Sequence, residues 1–210
     1  MKQITTKLLA ALLMGSFTFT AGNTQTIVGS KHDFSTQAWN TSVGSQICIV
    51  CHTPHNASLV VTDAPLWNHS TTATTYTLYA SSTLNSTMSQ PDASSKLCLS
   101  CHDGTVALEN YGTTTNGTHF ITGDHNLGNG LNNDHPVSFT YDAALSTADG
   151  GLKNPATALS GLGGTIAQNM LFGGKMQCAS CHDVHNTAGQ PSLLVKSNSI
   201  SALCLTCHAK

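Results

Sequence analysis

Four copies of the sequence Cys-x-x-Cys-His constrain the fold of this chain more than any other feature. They contain all eight cysteines: Cys48, Cys51, Cys98, Cys101, Cys178, Cys181, Cys204 and Cys207. C-x-x-C-H is the attachment sequence of a c-type haem, in which the two thiols bind the porphyrin and the histidine binds the iron. The sequence therefore predicts four covalent c-type haems, with their irons bound by His52, His102, His182 and His208.

Two other uses of paired cysteines are weaker alternatives. A structural zinc site needs four Cys, or Cys and His in sets of four, and does not require a His directly after each pair. Disulfides within the pairs would close very short loops, which constrain an unfolded chain poorly. Histidine makes up only 11 of the 210 residues and still follows all four pairs, which favours haem attachment.

Seven histidines lie outside the motifs, and four of them would complete an all-histidine set of axial ligands. They are His32, His55, His69, His119, His125, His135 and His185. His55 and His185 each follow a proximal His by three residues, so neither easily reaches the opposite face of its own haem. We expect His55 to bind the iron of the second motif, and His185 the iron of the fourth.

His135 and His32 complete the predicted distal ligands. Each has a neighbouring carboxylate that can orient its ring and an apolar residue that can anchor its backbone. The remaining three histidines are expected on the surface. Methionine is a rival distal ligand that would raise the reduction potential, but we favour packing roles for Met88, Met170 and Met176.

The four motifs fall into two similar pairs, which indicates a duplicated two-haem module. Each pair reads CxxCH-x-x-H-N, a short Ser-Leu-Val-rich segment ending at Val61 or Val195, and then Leu-Cys-Leu-x-Cys-His. The predicted modules span residues 48–104 and 178–210. A Gly-rich bridging segment at residues 111–177 joins them, and we expect it to wrap the haem faces and to supply a ligand.

The expected fold is mostly irregular chain organised around four stacked haems. Short α-helices are predicted at the motifs, for instance over residues 97–109 and 203–207, and a short strand over residues 136–141. Tracts of Ser, Thr, Asn and Gly elsewhere favour turns. The porphyrins, rather than protein side chains, are expected to form most of the core.

The first residues and the charge composition indicate an exported protein without a membrane span. Residues 1–21 read as a signal peptide with a charged start and an apolar stretch too short to cross a bilayer, followed by one domain at residues 22–210. Charged residues make up 9% of the chain, against about 25% in ordinary domains. The absence of a basic patch argues against a nucleic-acid partner, and the weakly charged surface suits packing against other copies of the chain.

Several sequence blocks resemble the doubled-CXXCH multihaem c-type cytochromes. They are CxxCHTPHNA, APLWN, SSKLCLSCHDGTVAL, NDHPVSF, CASCHDVHN and the final LCLTCH. Haem number, length and the GSKHD start look most like the tetrahaem extracellular cytochromes of the outer-membrane cytochrome E type. That resemblance implies bis-histidine haems and subunits that polymerise into cytochrome nanowires, in which one distal His comes from the neighbouring subunit. His32 is the expected donated ligand, or else a ligand within its own chain.

The favoured function is extracellular electron transfer through a filament, with redox proteins or extracellular acceptors as partners. The main alternative is a monomeric periplasmic electron shuttle, which needs the same haems and no polymer. A multihaem reductase is a further alternative, and it requires an iron with an open distal position. Because spare histidines outnumber the irons, we expect an electron carrier and not an enzyme.

Overall fold

Short elements separated by irregular chain make up the computed structural model, which describes residues 27–40, 42, 44–62 and 64–209. The predicted signal peptide lies outside these residues. The described helices are α1 Ala93–His102, α2 Ala143–Asp149, α3 Ile166–Asn169 and α4 Cys204–Cys207, with 3-10 turns that include Cys48–Val50 and Cys178–Ser180. No helix of the described part is long and apolar enough to cross a membrane.

Four strands of two residues each form two small ladders in the described chain. β1 (Thr77–Leu78) pairs in parallel with β2 (Gly130–Leu131), and β3 (Phe139–Thr140) pairs antiparallel with β4 (Lys175–Met176). The strand predicted over residues 136–141 shrinks to β3 because Ser138 adopts a left-handed backbone with φ of 63°. The prediction of mostly irregular chain with short helices and few strands is confirmed.

The helix predicted over residues 97–109 begins earlier and ends earlier, as α1. Asp92 precedes it in an extended conformation, and the helix ends at His102. Gly104 follows with a φ of +71°, a conformation that glycine adopts without steric cost and that stops helical propagation. The second Cys-x-x-Cys-His unit therefore forms the last turn of this helix.

The largest apolar cluster is made of protein side chains from the bridging segment and the fourth motif. Its buried members are Phe139, Tyr141, Ile166, Met170, Met176, Leu203 and Cys207. Met88 packs against it, so all three candidate methionines lie at packing positions. The bridging segment thus builds a core of its own, which the sequence did not indicate because its apolar residues are spread thinly among Gly, Asn and Thr.

Candidate haem attachment sites

Each Cys-x-x-Cys-His unit folds as a single helical turn. The amide of the proximal histidine donates to the carbonyl oxygen of the first cysteine, at 2.8, 3.1 and 3.0 Å in the first, third and fourth motifs. In the second motif the turn belongs to α1. All eight cysteines are free thiols. The turn holds two thiols and one imidazole close together in every motif, as attachment to a single porphyrin requires.

Three proximal histidines have their Nδ1 atoms hydrogen-bonded to backbone carbonyl oxygens. For His52, His102 and His182 the acceptors are Pro65, His125 and Ser192, at 2.6, 2.9 and 3.0 Å. A carbonyl can only accept, so each Nδ1 carries the proton. Each Nε2 is then the lone-pair nitrogen available to a metal, as is usual for ligating histidines.

The first and third motifs share one local geometry. The residue after the proximal histidine donates to a leucine carbonyl in both: Thr53 to Leu66 at 2.9 Å and Asp183 to Leu193 at 2.7 Å. Both leucines have a left-handed backbone, with φ of 51° and 55°. The structural partner of the segment at residues 192–195 is therefore 65–68, and not the Ser-Leu-Val segment that ends at Val61. Aligning the two segments by residue type gave the wrong register, because the geometry requires only an accepting carbonyl on a residue with a left-handed backbone.

Three pairs of histidine rings, called facing pairs below, have their centroids at the spacing of two ligands on one iron. The ring centroids of His32 and His102 are 6.1 Å apart, those of His52 and His185 6.2 Å, and those of His135 and His208 6.4 Å. With metal–nitrogen bonds of about 2 Å and centroids about 1 Å behind the nitrogens, two trans imidazoles place their centroids roughly 6 Å apart. The spacing fits an iron between each pair.

These pairs differ from the expected assignment of distal ligands to motifs. His185 faces the first motif rather than the fourth, and the second motif faces His32 rather than His55. The third motif packs against α1, where the amide of Cys178 donates to Ser95 Oγ at 3.0 Å. The third motif therefore lies beside the first module, and the histidine that follows it reaches across to the first motif.

The remaining proximal histidine, His182 of the third motif, has no facing ring among the described residues. No ring of the described residues faces His182 or His55 at this spacing, and both side chains are exposed. His125 is also exposed, and His119 pairs with Glu109. His69, which was expected on the surface, is 2% exposed. Its two ring nitrogens lie 2.8 and 3.0 Å from backbone carbonyl oxygens, so its ring is committed to protein contacts.

Two buried donors indicate where a bound group fits. His32 Nδ1 and Trp67 Nε1 are buried with no hydrogen-bond partner among the described residues. Indole N–H can only donate, and the propionates of a bound porphyrin would be suitable acceptors for such a donor. Burial, followed by the charges of His102, His182 and His185, lowers the pKa of His32 to about 4. His32 is therefore neutral at physiological pH, the form in which imidazole binds a metal.

The thiols of different motifs lie close to one another. Cys98 and Cys178 share a side-chain hydrogen bond, which raises the pKa of Cys98 and lowers that of Cys178. Burial and then the charge of Cys51 raise the pKa of Cys101 to about 12. Burial and then the charge of Cys207 raise the pKa of Cys181 to about 11. Every motif therefore has a thiol near a thiol of another motif, and the four units form one contiguous group.

A buried carboxylate follows the second motif directly, and sequence reasoning did not single it out. Asp103 is 3% exposed and accepts hydrogen bonds from the hydroxyl groups of Thr72, Tyr76 and Thr105 and from the amide of Thr105. Burial raises its pKa, but the hydrogen bonds outweigh burial and lower it below the usual range. The available signal was an Asp directly after a Cys-x-x-Cys-His unit, which occurs in the second and third motifs only.

A family model described as the doubled CXXCH motif matches residues 172–210. The matched part contains the third and fourth motifs. Such motifs imply covalently bound c-type haem with iron, consistent with a multihaem c-type cytochrome and with electron transfer. No curated protein matches the chain. Among the described residues, no group of three or more His, Cys, Asp or Glu side chains lies arranged to hold a metal ion.

Proposed function

We propose that this protein carries four c-type haems and transfers electrons through them outside the cytoplasm, as the subunit of a cytochrome filament. The observation that carries the haem part is the set of four helical Cys-x-x-Cys-His turns together with three facing histidine pairs at 6.1–6.4 Å. Each haem would supply a one-electron couple at its iron. The protein's contribution is to fix two neutral imidazoles at each iron and to keep the four sites contiguous.

In this proposal the irons of the first, second and fourth motifs are bound within one chain. The facing pairs are His52 with His185, His32 with His102, and His135 with His208. Carbonyl acceptors at Nδ1 of His52 and His102 leave Nε2 of those rings available to bind iron. His135 is held in the same way, by the carbonyl oxygen of Pro136 at 2.9 Å.

The filament part of the proposal rests on the two histidines outside the facing pairs, His55 and His182. His32, the ligand first expected to be donated, faces His102 of its own chain. His55 and His182 are both exposed, and neither has a facing ring in the described chain. We therefore assign the donated ligand to His55, which would bind the iron at His182 of a neighbouring subunit. The resemblance to the nanowire cytochromes, which share one distal His between subunits, supports this assignment.

A second candidate function rests on the same observation. If the iron at His182 kept an open distal position, it could bind a small substrate, as a multihaem reductase requires. Rapid binding of carbon monoxide or nitrite to one haem of the assembled, reduced protein would favour that function over conduction.

The decisive experiment examines the protein secreted by its host. Intact mass after denaturation should exceed the mass of the processed chain by four haems, and the spectrum of the denatured protein should remain that of covalent haem. Cryo-electron micrographs of the same fraction should show thin filaments. Loss of the haem spectrum on denaturation would overturn haem attachment. Monomers at all concentrations would overturn the filament and favour the periplasmic shuttle.

A further inference from the structure

The buried carboxylate of Asp103 lies at the C-terminal end of α1, where no basic side chain is among its hydrogen-bond partners. Its partners are the neutral groups of Thr72, Tyr76 and Thr105, at 2.5–2.8 Å. Neutral donors stabilise the ionised form without cancelling its charge. The chain therefore holds a full negative charge at a site that is 3% exposed.

Two structural links join this charge to the second motif. Asp103 follows His102 in sequence and caps the helical turn that carries Cys98, Cys101 and His102. Its amide donates to the carbonyl oxygens of Leu99 and Cys101, so its backbone is fixed relative to that turn. Because burial reduces solvent screening, this charge would be felt at a porphyrin bound to the turn.

We propose that Asp103 sets the reduction potential of the haem at His102, making this iron harder to reduce than it would be without the carboxylate. A fixed negative charge stabilises the ferric state over the ferrous state, since reduction removes one positive charge from the site. Asp103 acts through space and does not bind the iron. This inference rests on the proposed attachment of haem at Cys98 and Cys101.

The Tyr76 hydroxyl should raise the reduction potential that the Asp103 carboxylate lowers. Its hydroxyl donates to Asp103 Oδ2 at 2.7 Å, so its dipole offsets part of the negative charge. Burial, followed by the hydrogen bond to Asp103, raises the pKa of Tyr76, which therefore remains a donor at all working pH values. Removing this hydroxyl leaves three donors to keep the carboxylate ionised, and the potential should then fall.

The third motif provides a contrast within the same chain. Asp183 also follows a proximal histidine, but its side chain is 19% exposed and lies 3.6 Å from Nδ1 of His185. Its hydrogen-bond partners are the amides of His185 and Thr187 and the Thr187 hydroxyl, all within its own turn. Of these two carboxylates, Asp103 is the one held by residues from a distant segment, at positions 72 and 76, which fix it in the interior.

The test is a redox titration of the haem-loaded protein, in wild type, Asp103→Asn and Tyr76→Phe. Asp103→Asn should raise the equilibrium constant for reducing one haem about tenfold, equivalent to about 59 mV, and leave the other three midpoints in place. Tyr76→Phe should lower the midpoint of that same haem. Asp142→Asn removes an equal charge from an exposed site at the start of α2 and should change every midpoint less than about twofold.

Opposite signs separate electrostatics from loosened structure, because a disrupted site would shift in one direction in both variants. Unmoved midpoints in Asp103→Asn, or shifts of the same sign in the two variants, would overturn the inference. The wild type is first checked for four covalent haems by mass. A wild type without haem refutes the proposed function itself, whereas four haems with unmoved midpoints refute only the role of Asp103.

Discussion

At the scale of single residues, the hydrogen bond at Nδ1 sets the tautomer of an imidazole. A backbone carbonyl at Nδ1 forces the N–H tautomer there and leaves Nε2 as the metal-binding atom. His52, His102, His182 and His135 all have such a carbonyl. His69 has carbonyl oxygens at both ring nitrogens, so this histidine contributes to packing instead of offering a nitrogen to a metal.

Removing His32 tests the pairing at this scale. We expect His32→Ala to leave four haems attached and to convert one of them from low-spin to high-spin, because the iron at His102 loses its facing imidazole. Electron paramagnetic resonance and carbon monoxide binding measure the fraction converted, which should be about one in four. His125→Ala, at an exposed ring, is the matched control and should leave all four haems low-spin. Four low-spin haems in His32→Ala would refute the pairing.

At the scale of elements, one buried glutamine joins α1 to the third motif. Gln177 is 1% exposed, and its amide group contacts Asp92, Ser95 and Ser138 at 2.8–3.3 Å. Lys175 adds an ion pair with Asp92. This network fixes the start of α1 against the turn of the third motif, and it therefore sets the distance between the two modules.

Truncating this glutamine should weaken the junction. Gln177→Ala leaves the Ser95 amide and the Ser138 hydroxyl without a buried acceptor, so we expect a loss of about 2–3 kcal/mol in the free energy of unfolding. Guanidinium denaturation of the haem-loaded protein, followed by circular dichroism, measures it. Gln37→Ala, at an exposed glutamine, should change the same quantity by less than about 0.5 kcal/mol. Equal effects of the two substitutions would contradict the role of Gln177.

At the scale of the whole molecule, the two modules interleave rather than follow each other. The histidine after the third motif faces the first, and the thiols of Cys98 and Cys178 share a hydrogen bond across the module boundary. This arrangement forms three facing pairs of histidines inside the chain and leaves His55 and His182 exposed. One chain then presents a histidine and, at another position, a motif that can accept one, which is the complementarity a head-to-tail polymer needs.

Substitution of His55 tests the polymer. We expect His55→Ala to retain four haems but to remain monomeric, with one haem high-spin, because no ligand reaches the iron at His182 of a neighbour. Wild-type filaments should have four low-spin haems. Electron microscopy and paramagnetic resonance on the same samples report both properties, and His125→Ala should still form filaments. Filaments of His55→Ala with four low-spin haems would rule out the donated ligand.

The candidate residues for haem attachment and the general character of the fold could be predicted from the linear sequence. Thiol attachment and proximal ligation involve neighbours within five residues, so spacing along the chain is enough to predict them. The scarcity of regular structure likewise follows from composition, because Gly, Ser, Thr and Asn favour turns over helices and strands. These features depend on local chemistry, and folding does not alter them.

Which histidine rings pair with one another, by contrast, depends on residues far apart in sequence. His185 was expected at the fourth motif and lies opposite His52, since the third motif packs against α1 of the first module. The charge of Asp103 became visible only once loop residues at positions 72 and 76 were seen to enclose it. Sequence alone determined where the Cys-x-x-Cys-His motifs lie and that the chain has little regular structure. Only the tertiary structure decided which histidines face one another and which charge is buried beside them, because long-range packing sets both.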